Sequence, residues 1–125
     1  VKYESCDAKR VEYDLDGRDS PFERSAKLRD GEFFLVPVDI GGEEYTYLYP
    51  KVPGVPAGYR RWVLRRKGQP APEGVTSWEW DGKEDAPTLI PSVRIWGGDG
   101  KGGKVVIWHG HLENGRFVGC DDKPE

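Results

Sequence analysis

At 125 residues the chain has the length of one domain and can enclose a hydrophobic core without disulfide staples. Hydrophobic residues make up 36% and charged residues 33%, yet the net charge is only -3, so the two signs are interspersed and general coating of DNA is not expected. The five Trp and six Tyr argue against disorder, and no apolar run approaches the roughly 20 residues of a membrane helix.

The N-terminus lacks the basic-then-apolar layout of a secretory signal. Together these features predict a single β-rich domain over residues 1–125 that works in the cytoplasm without a membrane partner. Cys6 and Cys120 are the only cysteines, which rules out a disulfide framework, and both are expected as reduced thiols.

In chain order, the first predicted element is a short helix near 21–29. Ser20 can cap it, Pro21 suits its first turn, Glu23 completes a capping box and Gly31 would end it. Two to three turns are marginal alone, so Phe22, Ala26 and Leu28 are expected to dock on a sheet. From Glu32 onward β-branched and aromatic residues gather in short runs separated by Gly, Pro and Asp. These runs predict strands over 33–40, 44–49, 59–66, 76–80, 88–96, 104–112 and 116–120. Pro50, Pro53 and Pro56, and later Pro70 and Pro72, supply no ladder donor and mark loops. The fold class that follows is mainly β (α+β), an antiparallel sandwich or open barrel with one short helix.

Within the run 59–67, five basic residues accompany two aromatics, and strand alternation puts Arg61, Arg65 and Lys67 on one face. Such a stripe can grip phosphates or an acidic protein surface, or can be a solvated face offset by Asp and Glu elsewhere. Further on, Trp78 and Trp80 share one strand face, with Glu79 and Asp81 on the other. Pro87 and Pro91 bracket an extended piece that would bring the hydroxyls of Thr88 and Ser92 to the rim of a groove beside the tryptophans. A flat or sugar-like ligand would suit that groove, and core packing of the two indoles is the competing reading.

Residues 98–104, Gly-Asp-Gly-Lys-Gly-Gly-Lys, match the start of a phosphate-binding P-loop. Val105 stands where Ser or Thr is required, and a strand follows where a helix should open, so nucleoside-triphosphate binding is rejected there. The segment is expected to be the flexible tip of a hairpin.

The C-terminal hairpin allows its register to be counted. Asn114-Gly115 is a two-residue turn signal, because both positions tolerate positive φ. If Glu113 pairs with Arg116, then Leu112 faces Phe117, His111 faces Val118 and His109 lies opposite Cys120. One face then holds Val106, Trp108, Leu112 and Phe117, and turns to the core. The other holds His109, His111, Glu113, Cys120 and Asp122. Imidazole, thiolate and carboxylate are the ligands zinc prefers. A zinc held by three of His109, His111, Cys120 and Asp122 would keep a position for water, with Glu113 as general base. The same residues also fit a plain polar strand with a thiol packed beside an imidazole.

The order Trp-Glu-Trp-Asp-Gly at 78–82, Pro-Thr-Leu-Ile-Pro-Ser at 87–92, a His-containing strand, Asn114-Gly115 and Cys120 resembles small uncharacterised phage and prophage proteins, some labelled ammonia monooxygenase. The resemblance covers roughly residues 76–120 and carries over no activity. In that family a Cys-His pair precedes the turn and Cys-x-x-His follows it. Here Trp108 precedes His109, and Asp121-Asp122-Lys123 follows Cys120, which leaves His111 and Asp122 as substitutes.

The resemblance, the small size and the absence of a complete catalytic constellation together lead to the expectation of a small phage-type accessory protein that binds a host macromolecule, a host protein or protein complex, with inhibition of a host defence system as one outcome. That reading needs no cofactor and no catalytic residue. The alternatives are a zinc-dependent hydrolase or structural zinc domain, and a nucleotide or small-ligand module using Trp78, Trp80 and the Arg61 stripe.

Overall fold

The computed structural model describes residues 1–57 and 60–122, so the expected strand start at Tyr59, like Lys123, lies outside the described residues. The domain is mainly β. In chain order it contains β1 (Cys6–Asp7), β2 (Lys9–Arg10), α1 (Pro21–Ala26), β3 (Glu32–Ile40), β4 (Glu43–Pro50), β5 (Trp62–Arg66), β6 (Ser77–Trp80), β7 (Leu89–Ile90), β8 (Val93–Gly98), β9 (Lys104–Glu113) and β10 (Arg116–Gly119). Six strands in the order β2-β3-β4-β5-β6-β7 curl into a half-barrel, and four in the order β1-β10-β9-β8 form a second sheet.

The expected barrel or sandwich class is what the chain forms, with two departures, the first being that β2 pairs with β3, and β5 with β6, in parallel. The segment between β5 and β6 carries Pro70 and Pro72 and crosses over where a hairpin would have returned antiparallel. A second departure is at Pro91. The single strand expected over 88–96 splits there into β7 of the half-barrel and β8 of the second sheet, because proline has no N–H to continue a ladder.

The two sheets close on one core. Phe33, Leu48, Trp62, Leu64, Trp80 and Leu89 of the half-barrel pack with Val93, Ile95, Trp108, Leu112 and Phe117 of the second sheet. On the other face of the half-barrel a smaller cluster holds Leu28, Phe34, Val36 and Tyr49. There the Phe34 ring stacks on Tyr13 at 5.0 Å and on Tyr49 at 4.8 Å.

α1 begins as the capping box requires. Ser20 Oγ accepts from the Glu23 N–H at 3.2 Å, and Glu23 Oε1 accepts from the Ser20 N–H at 3.3 Å. Of its expected docking residues only Leu28 is buried. Ser25 and Leu28 are buried, whereas Ala26 is exposed and Phe22 is 53% exposed. The helix is only six residues, too short for a full apolar stripe, and ends at the Lys27 cap. Gly31 leads into β3 instead of capping the helix; a Cβ there would stand 2.4 Å from the Asp7 carbonyl oxygen.

Ser20→Ala removes one half of the box, and a loss of about 1 kcal/mol in urea unfolding is expected. An unchanged midpoint would show that the helix adds nothing to global stability.

The C-terminal hairpin adopts the counted register, with Arg116 opposite Glu113, Phe117 opposite Leu112 and Val118 opposite His111. Asn114 and Gly115 have φ of 46° and 73°. One residue changes sides. The register shifts between Ile95 and Trp96 of β8, so Val106 pairs with the exposed Trp96 while Ile107 packs on the core. An irregularity of this kind offsets the two-residue alternation on which the Val106 assignment rested.

Candidate functional site

His109 sits in β9, an interior strand of the second sheet, on the face turned away from the core. Trp108 beside it is 1% exposed and lies on the core side. The imidazole makes contacts at both nitrogens. Its Nδ1 is 2.9 and 3.1 Å from the two carboxylate oxygens of Asp122, and its Nε2 is 3.3 Å from Ser92 Oγ. A carboxylate only accepts, so Nδ1 donates to Asp122, and in the neutral ring Nε2 is left to accept the Ser92 O–H. The His109 side chain is 11% exposed, and that of Asp122 is 38%.

Backbone contacts fix all three residues. Asp122 is held where the chain after β10 meets its N-terminal segment. The Asp122 N–H donates to the Val1 carbonyl at 2.8 Å, and the Tyr3 N–H to the Cys120 carbonyl at 3.0 Å. Ser92 follows Pro91 at the passage between the two sheets, where its carbonyl accepts from Trp78 Nε1 at 3.4 Å. His109 is held by the ladder, opposite Arg94 on one side and with its carbonyl accepting from the Cys120 N–H at 2.8 Å on the other.

Of the residues expected as zinc ligands, His109 and Asp122 meet directly. Among the described residues no three His, Cys, Asp or Glu side chains come together as a metal-holding group. His111 lies one alternation further along the strand, and Glu113 is exposed at the strand end. Cys6 and Cys120 are both unbridged.

Burial pushes the Cys120 thiol above its ordinary value, the charge on Asp122 adds to this, Arg94 opposes it and Glu113 raises it further. A thiol so held carries less thiolate near neutral pH, so Cys120 is expected to alkylate more slowly than a free cysteine. Asp122→Asn should speed the reaction and Arg94→Ala slow it, followed by mass spectrometry. Equal rates in both variants would place these charges away from the sulfur.

Of the aromatic and basic constellations, Trp80, Thr88 and Lys67 meet at one groove. Trp80 is buried, with its Nε1 donating to the Lys83 carbonyl at 3.1 Å. Trp78 is half-buried, its ring centroid 5.9 Å from that of Trp62. Core packing therefore accounts for most of both indoles. At the open end, Arg66 lies over the Trp80 ring at 5.9 Å from its centroid.

Arg66, Lys67, Glu79, Trp80, Thr88 and Ile90 line a groove of about 470 Å³. A second hollow of about 470 Å³ opens across the same Arg66–Trp80 pair, toward Glu44, Thr46 and Gln69. The Thr88 hydroxyl also accepts from the Asn114 N–H at 2.9 Å, which ties the hairpin turn to the half-barrel.

The expected basic stripe is divided. Arg61 lies 4.2 Å from the Tyr47 ring centroid on the far face of the half-barrel. Arg65 pairs in register with Glu79, and its Nε is buried without a hydrogen-bond partner among the described residues. Lys67 reaches the groove.

Arg66, absent from the sequence reading, belongs to the opposite alternation and faces Trp80 because β5 and β6 run parallel. Only that pairing, which the basic run does not encode, reveals it. Arg94 was likewise missed, although its alternation with Ser92 was a signal.

The loop after β8 is a compact tip. Asp99 Oδ1 accepts from the N–H groups of Lys101 at 2.7 Å and Gly103 at 3.0 Å, and these bonds hold its carboxyl below the ordinary value. No helix in the described residues is long and apolar enough to cross a membrane. No family model, curated protein or solved structure matches the chain.

Proposed function

We propose that the chain is an accessory binding protein of phage type that engages a host protein, with inhibition of a host defence system as the outcome of that binding. The observation that supports this reading is the groove at the open end of the half-barrel. There Arg66 and Lys67 offer charge-assisted donors beside the apolar side chain of Ile90, which is 57% exposed, over the edge of the buried Trp80. An exposed apolar side chain next to a guanidinium laid on an indole is the composition of a protein-binding hot spot. A partner segment carrying a carboxylate and an apolar side chain complements it.

The test is retention of host protein on the immobilised chain, compared with an Arg66→Glu, Lys67→Glu variant of native circular dichroism. The reading expects one partner held in stoichiometric amount by the native chain and lost by the variant. Identical eluates from both would overturn it.

A further inference from the structure

The contacts of His109 lie apart from the groove. We propose that Ser92 is a nucleophile, with His109 as its general base and Asp122 as the positioning residue, in acyl transfer from small carboxylic esters. Three observations carry the assignment. The order of contacts, hydroxyl to Nε2 at 3.3 Å and Nδ1 to carboxylate at 2.9 Å, is the order in which a serine is activated and an imidazole oriented. The three groups come from separate stretches of chain, around Pro91, on β9 and beyond β10, and the backbone bonds described above fix each in place. Arg94 lies directly across the ladder from His109, which sets a cation on the same face of the sheet.

In the reaction Ser92 Oγ bonds to the ester carbonyl carbon while its proton passes to His109 Nε2. The oxyanion that forms is stabilised by the Arg94 guanidinium. The bond from that carbon to the leaving oxygen then breaks, and the leaving alcohol takes the proton from Nε2. A water molecule repeats the sequence on the acyl-serine, giving the carboxylic acid and restoring the hydroxyl. Asp122 takes no part in bond making. It holds the ring with Nδ1 protonated, so that the lone pair of Nε2 faces Ser92.

The whole chain is tested with two probes: a fluorophosphonate, read by intact mass and peptide mapping, and p-nitrophenyl acetate, read by nitrophenolate release. The native chain is expected to gain one phosphonyl group on Ser92 and to hydrolyse the ester, and Ser92→Ala to lose both. Asp122→Asn should slow phosphonylation by about tenfold or more and change its pH profile, because an amide can donate to Nδ1 and turn the ring to the wrong tautomer. His109→Ala should abolish labelling; should that variant not fold, the other two, checked by circular dichroism, still decide. Labelling at another residue, or equal ester hydrolysis by the native chain and Ser92→Ala, would overturn the proposal.

Discussion

Trp108→Ala is expected to cost about 3–5 kcal/mol in urea unfolding, the range for emptying a fully buried aromatic site. The indole is 1% exposed, meets Phe117 edge-on at 6.3 Å between centroids, and belongs to the cluster that joins the two sheets. Its Nε1 donates to the Glu4 carbonyl at 2.9 Å, so truncation leaves both a cavity and a carbonyl without its donor. That bond also draws in the N-terminal segment. Trp96→Ala, on the same hairpin but 53% exposed, serves as the comparison and should shift stability by no more than about 0.5 kcal/mol. Comparable losses at the two positions would mean that the sorting of faces along this hairpin is wrong.

Gly110→Ala is expected to cost about 3 kcal/mol, at the upper end for overpacking, for a reason opposite to a cavity. Gly110 sits between the two histidines, and the Trp108 ring folds over it. A Cβ there would stand 2.3 Å from the Val118 carbonyl oxygen and 2.4 Å from the indole. Neither neighbour is the loose end of a flexible chain: one is backbone of the paired strand, the other the buried ring. Gly119, directly opposite, is equally confined, with the Tyr3 carbonyl oxygen 2.1 Å from its would-be Cβ. Small domains hold only about 5–15 kcal/mol in all, so Gly110→Ala combined with Gly119→Ala should remove a large share of the stability. Thermal unfolding followed by Trp fluorescence measures both, and a native midpoint for Gly110→Ala would contradict the packing of Trp108 on this strand.

Much of the C-terminal half could be read before any coordinates. Asn114-Gly115 specifies a tight turn by its tolerance of positive φ, and once the turn is fixed every cross-strand partner follows by counting. The capping box at Ser20 was legible for the same reason: its chemistry is local.

What escaped was non-local. β1 and β2 have two residues each and no alternation to detect. The parallel pairing of β5 with β6 depends on how the intervening chain crosses the sheet, and it alone brings Arg66 to Trp80. Pro91 was read as bracketing an extended piece within one strand, not as the passage from one sheet to the other, and that passage carries Ser92 to His109. The offset that exchanges Val106 for Ile107 belongs to the pairing of two strands and cannot be counted from one. Ser92 and Asp122 were both singled out, one as a groove hydroxyl and the other as a metal ligand. Their meeting at one imidazole depends on the closure of the N-terminal segment against the end of the chain.

The most direct test of the account is a long-range ¹H–¹⁵N correlation spectrum of the histidine side chains. With the hairpin in its counted register and Asp122 anchored by Val1, neutral His109 should carry its proton on Nδ1. That proton should exchange slowly with water, and Asp122→Asn should remove the signal. A neutral His109 protonated on Nε2, or an Nδ1 proton indifferent to Asp122→Asn, would contradict the arrangement.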